Sequence, residues 1–120
     1  MAVATNDQAK GVRQALAAAG IESQTLESYD GRPTEAVKIR THHRIKGLEF
    51  KVVLLPFLGF GEFPRPQVPG QSDLEYAEAT ELAISCLFVA MTRPRGGLFL
   101  TCTRNPSAVL EPALTSFDLI

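Results

Sequence analysis

Two short segments of this 120-residue chain concentrate the side chains able to do chemistry. The first runs Thr41-His42-His43-Arg44-Ile45-Lys46-Gly47-Leu48-Glu49-Phe50. Lys38, Arg40, Arg44, Lys46 and Lys51 make it the most basic stretch of the chain, opposed by Glu49 alone. Cations beside the backbone N–H groups of a loop leaving a strand can hold phosphate oxygens, and Gly47 would let the backbone approach a ligand closely. His42 and His43 add donors that titrate near neutrality. An adjacent His-His pair with no further cysteine, histidine or carboxylate at ligand spacing is a poor metal site, so no metal is expected. The second segment is Thr92-Arg93-Pro94-Arg95, which closes a long apolar stretch. A guanidinium fixed at the end of a helix suits the anionic oxygens of a transferring phosphoryl group. Taken singly, each segment also has a plainer account: a solvated charged loop, and arginines that neutralise the last carbonyls of a helix.

These segments need elements to hold them. Ala2-Val3-Ala4-Thr5 reads as a short strand, and Thr5-Asn6-Asp7-Gln8 as a capping box that starts a helix. Ala9, Val12, Leu16 and Ala19 form the helix's apolar face, and Gly20 its stop. Ile21 to Leu26 is a weak strand, followed by the turn-rich connector Ser28 to Pro33. Val37 to Arg40 predicts a strand. Val52-Val53-Leu54-Leu55, ended by Pro56, predicts one buried on both faces, as in a covered parallel sheet. Gly59 to Gly70 is a proline- and glycine-rich loop. Asp73 to about Thr92 predicts a helix with Leu82, Cys86 and Val89 on its stripe, widened by Ile84, Leu87 and Met91. Pro94 and Gly96-Gly97 end it, Leu98 to Thr101 is a further strand, and Ser107 caps a short final helix. Alternating strands and helices predict an open α/β sandwich with a mostly parallel sheet, on which ligands sit at the loops.

Composition sets the outer limits. Hydrophobic residues make up 45% and charged residues 21%, with a net charge of −1, which are values for one globular domain. The apolar run from Val52 to Phe60 is too short to span a membrane, and no leader pattern opens the chain. Cys86 and Cys102 form no CxxC pair, which suits a reducing, cytoplasmic setting. The near-neutral balance argues against bulk electrostatic attraction to nucleic acid and leaves a local basic site open.

Taken together, the two segments form a longer pattern. T-x-H-x-x-K-G-L-E-F is followed by V-V-L-L-P, then G-E-F-P, then L-F-V-A-M-T-R-x-R and L-x-L-T. This resembles motifs V and VI of the UvrD/Rep family of superfamily 1 DNA helicases, in order and at matching spacing. Val3-Ala4-Thr5-Asn6 with Ala19-Gly20-Ile21 is similar to the strand and helix that open the conserved part of that family's second RecA-like domain, and Asn105-Pro106-Ser107 to its closing segment. The resemblance covers nearly the whole chain and implies a RecA-like (P-loop NTPase-type) three-layer sandwich lacking the half that carries the phosphate loop. It implies one C-terminal helicase domain over residues 1–120, a piece of a longer ATP-driven motor on single-stranded DNA, with the family's large helical insertion absent near 27–36.

By resemblance, Arg93 is the arginine finger and the catalytic residue. Gly47 and Glu49 face the nucleotide, with Arg95 supporting Arg93 there. Thr41, His43 and, less centrally, Lys46 contact DNA phosphate or sugar. ATP and Mg2+ belong to the full-length parent, none being bound by the fragment alone; the partners are single-stranded DNA and the parent's N-terminal RecA-like domain, with no membrane. Several positions depart from the family pattern. Leu82-Ala83-Ile84-Ser85 stands where acidic and arginine residues are usual, Phe88 replaces a tyrosine, Pro94 an alanine, and Val3-Ala4 a Tyr-Arg pair. The chain has neither G-x-x-x-x-G-K-[ST] nor an acidic pair for magnesium, so it is not expected to hydrolyse ATP alone. The alternative is a free-standing, non-catalytic DNA- or protein-binding module derived from a helicase.

Overall fold

The computed structural model describes residues 1–25, 35–45 and 50–118. Their elements are β1 (Ala2–Val3), α1 (Asn6–Ala18), β2 (Ser23–Gln24), β3 (Val37–Lys38), β4 (Arg40–Thr41), a 3-10 helix (His42–Ile45), β5 (Phe50–Leu55), α2 (Asp73–Met91), β6 (Pro94–Leu100) and a second 3-10 helix (Ala108–Ser116). The strands form three parallel pairs, β1 with β4, β2 with β3 and β5 with β6. Parallel neighbours need a crossover between them, and α2 supplies it for β5 and β6. The chain is a small α/β domain built on short parallel sheets.

Helix α1 starts and stops by local chemistry. The Thr5 hydroxyl accepts from the Gln8 N–H at 3.2 Å, and the Gln8 side chain accepts in return from Ala4 N–H, one residue earlier than in a standard capping box. At the other end Gly20 takes φ +77°. Its N–H reaches Ala17 O and the Ile21 N–H reaches Leu16 O at 2.8 Å, the paired bonds of a Schellman motif. Glycine is needed here because a Cβ disfavours that backbone region. Val12 is the buried residue of the helix and packs with Val3 and Ile39.

Helix α2 begins at a full capping box between Ser72 and Glu75. Its buried face differs from the sequence expectation by one residue. Leu82 is 62% exposed, while Leu87 and Ala90 are buried and Ala83, Ile84 and Met91 pack beside them. The helix is apolar around much of its circumference, so periodicity could not single out the seam.

The strands carry three further corrections. The run predicted as one strand over 37–40 is two short strands, because its two ends bond different neighbours. Val37 and Ile39 donate to Glu22 and Gln24 carbonyls, and Arg40 donates to Met1 O. In β5, Val53 and Leu55 are buried but Val52 is 51% exposed, so among the described residues only one face of this strand is fully covered. Strand β6 begins at Pro94, not Leu98. Proline is tolerated as a first strand residue, and a Cβ on Gly96 would lie 3.2 Å from the Lys51 carbonyl oxygen, so this glycine marks a close approach inside the strand rather than a break. The main core joins Ala2, Ile45, Val53, Leu55, Leu58, Phe63, Leu87, Ala90 and Leu110. Ser107 ties the C-terminal 3-10 helix to this core by donating its hydroxyl to Phe63 O, and the expected final helix is 3-10 rather than α.

Candidate functional site

The C-terminus of α2 sets the position of Arg93. Thr92 is the C-cap residue, and its hydroxyl donates to Val89 O at 2.7 Å. That same oxygen accepts from Arg93 Nε at 3.2 Å and from Nη2 at 3.0 Å. A guanidinium has five N–H donors. Two are directed at Thr92, which leaves three for another acceptor. Arg93 is half-buried, so it is held and still reachable. Arg95 is exposed on β6.

The basic segment meets this junction through the backbone. The Phe50 N–H, at the end of that segment, donates to the Arg93 carbonyl at 3.2 Å, and Phe50 pairs with Pro94 in the sheet. The two segments read from the sequence as separate loops therefore converge at the amino ends of β5 and β6. Lys46, Gly47 and Glu49 lie outside the described residues.

Thr41 is the last residue of β4 and His43 lies in the 3-10 helix after it, but the two do not share a pocket. His43 turns toward α2, where its Nδ1 lies 3.9 Å from Cys86 Sγ. An α-helix rises 1.5 Å per residue, so the Cys86 that His43 meets lies about 7.5 Å along the axis before Met91, the last residue of α2. Thr41 lies on the other side, in a cleft against α1. Between them His42 is buried, at 4% exposure. Burial pushes its pKa down to about 4, against the opposing pull of a backbone hydrogen bond to Ala2. Its ring meets Phe63 edge-on at 5.9 Å, and its Nε2 has no hydrogen-bond partner among the described residues. His42 is thus a neutral structural residue, and the pair His42-His43 is divided between the core and the surface.

The cleft beside Thr41 has a volume of about 470 Å3. Lys10 and Arg13 of α1 face Arg40 and Arg44 across it, with Asn6 at the helix start. Arg40 is buried, and its Nη1 donates to Ile39 O at 2.9 Å. Lys10 and Arg13 were missed in the sequence because α1 was read only for its apolar face. The available signal was the spacing of Asn6, Lys10 and Arg13, which puts them on one side of a helix.

The described elements define a small α/β domain on short parallel sheets, with Arg93 at the end of α2 bonded through its carbonyl to the start of β5. The family model of the UvrD-like helicase C-terminal domain matches residues 2–105, and the chain belongs to that family. The fold is similar to the crystal structure of the C-terminal domain of a possible DNA helicase from Lactobacillus plantarum WCFS1, with a TM-score of 0.67 and 17% sequence identity. The match covers 91% of this chain and 58% of that one, so the chain spans little more than half the length of its structural neighbour. No curated protein matches the chain. No described helix is long and apolar enough to cross a membrane.

Proposed function

We propose that the chain is the C-terminal motor domain of an ATP-dependent DNA helicase or translocase. In this reading residues 1–120 form the second RecA-like sandwich, with the helical insertion absent near 27–36, and share an ATP site with an N-terminal RecA-like domain. The observation that carries the proposal is the bond from Phe50 N–H to the Arg93 carbonyl. It couples the segment that resembles motif V to the arginine that resembles motif VI, so movement of one is felt at the other.

Arg93 is the finger in this proposal. Its Nε and Nη2 anchor on Thr92, and its remaining donors would face the negative charge that develops on a phosphoryl group in flight. Gly47, Glu49 and Arg95 are assigned to the nucleotide side, and Thr41, His43 and Lys46 to a single DNA strand. Contacts of that kind hold a strand without reading its sequence. Bound ATP, with its Mg2+, supplies the free energy of the cycle. Mg2+ is assigned, with ATP, to the parent enzyme, as membership of the helicase family suggests.

The test is Arg93→Ala in the intact parent enzyme. DNA-stimulated ATP turnover falls by about 10³-fold or more, while DNA binding without nucleotide stays near normal. Unchanged turnover removes the finger assignment.

A further inference from the structure

We infer that Cys86 and His43 form a reactive thiol–imidazole pair, a site at which a low-molecular-weight disulfide thiolates the chain. His43 Nδ1 lies 3.9 Å from Cys86 Sγ, within reach of a hydrogen bond to sulfur. The two residues are 43 apart in the sequence, and the packing of the first 3-10 helix on α2 brings them together. Cys86 is half-buried and His43 is exposed, so a small molecule can reach the sulfur in the folded chain. With the ring proton on Nε2, Nδ1 presents its lone pair to the thiol. The residues one turn away on the same helix, Leu82, Ala83, Val89 and Ala90, carry no side-chain group that takes up a proton. The second thiol provides a contrast within the chain. Cys102 is exposed, and it donates to Arg104 O at 3.4 Å, a backbone carbonyl that does not take up a proton.

A cysteine attacks a disulfide as its thiolate. In this step Cys86 Sγ passes its proton to His43 Nδ1 and attacks one sulfur of the incoming disulfide. A new S–S bond to Cys86 forms as the incoming S–S bond breaks. The leaving sulfur departs with the electron pair of the broken bond and takes the proton from the imidazolium. Cys86 is oxidised, the departing half of the disulfide is reduced, and a further thiol reverses the exchange. One imidazole thus serves as base and then as acid, as in other base-activated nucleophiles. Cys86 immediately precedes the L-F-V-A-M-T-R-x-R pattern and has no part in the nucleotide or DNA assignments. An adduct on its sulfur stands against the ring that the proposed function gives to the DNA strand. That consequence rests on the DNA-side reading of His43; the thiol chemistry does not.

The test is the rate at which each thiol of the 120-residue chain exchanges with 2-hydroxyethyl disulfide near neutral pH. This reagent is uncharged, so attraction to nearby cations does not set the rate. Adducts are counted by intact mass and assigned by peptide mapping. Cys102→Ser isolates Cys86, and Cys86→Ser isolates Cys102. The expected result is that Cys86 exchanges at least about tenfold faster than the more exposed Cys102. In the Cys102→Ser chain, His43→Gln and His43→Ala each slow Cys86 by about tenfold. His43→Ala also opens the approach to the sulfur, so a slower rate there is a loss of the base and not of access. His43 is exposed, so both variants retain the fold, which circular dichroism confirms. In urea the differences between Cys86, Cys102 and the His43 variants vanish. A Cys86 that exchanges no faster than Cys102 overturns the inference. An unchanged or faster rate in His43→Ala also overturns it, because the ring is then a cover and not a base. No DNA enters the measurement, so its failure leaves the DNA-side reading of His43 untouched.

Discussion

The two cationic regions of this domain differ in how their charge is held. At the end of α2, Arg93 is fastened by two bonds to one hydroxyl, and that hydroxyl is itself fastened to the helix. In the cleft, Lys10, Arg13 and Arg44 stand exposed on flexible stems. A fixed guanidinium can be aimed at a single acceptor, which is what stabilising a brief, charged geometry demands. Loose cations satisfy any acceptor that comes within reach. The proposed function assigns chemistry to the fixed guanidinium, and the contrast in how the two sets of cations are held is what makes that assignment testable.

The sharpest break of that contrast is Arg93→Lys in the intact enzyme. Lysine keeps the charge but has no planar fork, so turnover is expected to stay down by about 10²-fold or more with DNA affinity unchanged. Recovery to wild-type turnover would mean that charge alone matters at this position and that its anchoring is incidental.

Acid probes the short 3-10 helix that joins β4 to the face of α2. His42 lies between cleft-facing Thr41 and α2-facing His43, and its pKa is lowered to about 4 in the fold. The unfolded chain therefore binds more protons between that value and about 6.5, and stability falls as pH falls through this window. Between pH 7 and pH 5 the contribution of this one group is about 2 kcal/mol. Urea unfolding at the two pH values measures it. His42→Leu removes this part of the slope, and an equal slope in that variant assigns the acid sensitivity elsewhere.

A subtler change is Thr92→Val, which deletes the anchor and leaves the arginine. Turnover number is expected to drop about tenfold with the KM for ATP nearly constant, since positioning rather than binding is lost. A purely structural role for Thr92 would instead lower the melting temperature and leave turnover per folded molecule unchanged. The smallest effect is expected for Gly20→Ala, which forces a Cβ into a left-handed cap and costs about 1 kcal/mol of stability. Lys10 and Arg13 sit about two turns or further from that cap along α1, so their exposure is expected to stay as it is.

The parts legible in the sequence are those fixed by neighbours along the chain. The caps of α1 depend on Thr5, Gln8 and Gly20, and Asp73 at the start of α2 was named directly, because such signals act over three or four residues. The position of Arg93 at a helix end was legible for the same reason. The parts that were not legible depend on neighbours in space. Leu82 and Leu87 are equally apolar, and only the core cluster that joins Leu87 to residues such as Ile45, Val53 and Leu55 decides that Leu87 goes inside. Gly96 looks like a stop until Lys51 O is placed beside it. The cleft joins Lys10 and Arg13 to Arg40 and Arg44 only because β1 and β4 lie side by side. The same limit applied to His42 and His43, adjacent in sequence and opposite in environment.

The central claim is that the aimed arginine and the residues assigned to DNA are separable. The most direct measurement compares Arg93→Ala with Thr41→Ala/His43→Ala in the intact enzyme, taking turnover at saturating DNA and DNA affinity without nucleotide for each. The account predicts a crossed result: the first variant loses turnover and keeps affinity, and the second loses affinity and keeps turnover once DNA saturates. Parallel losses of both quantities in both variants would contradict it.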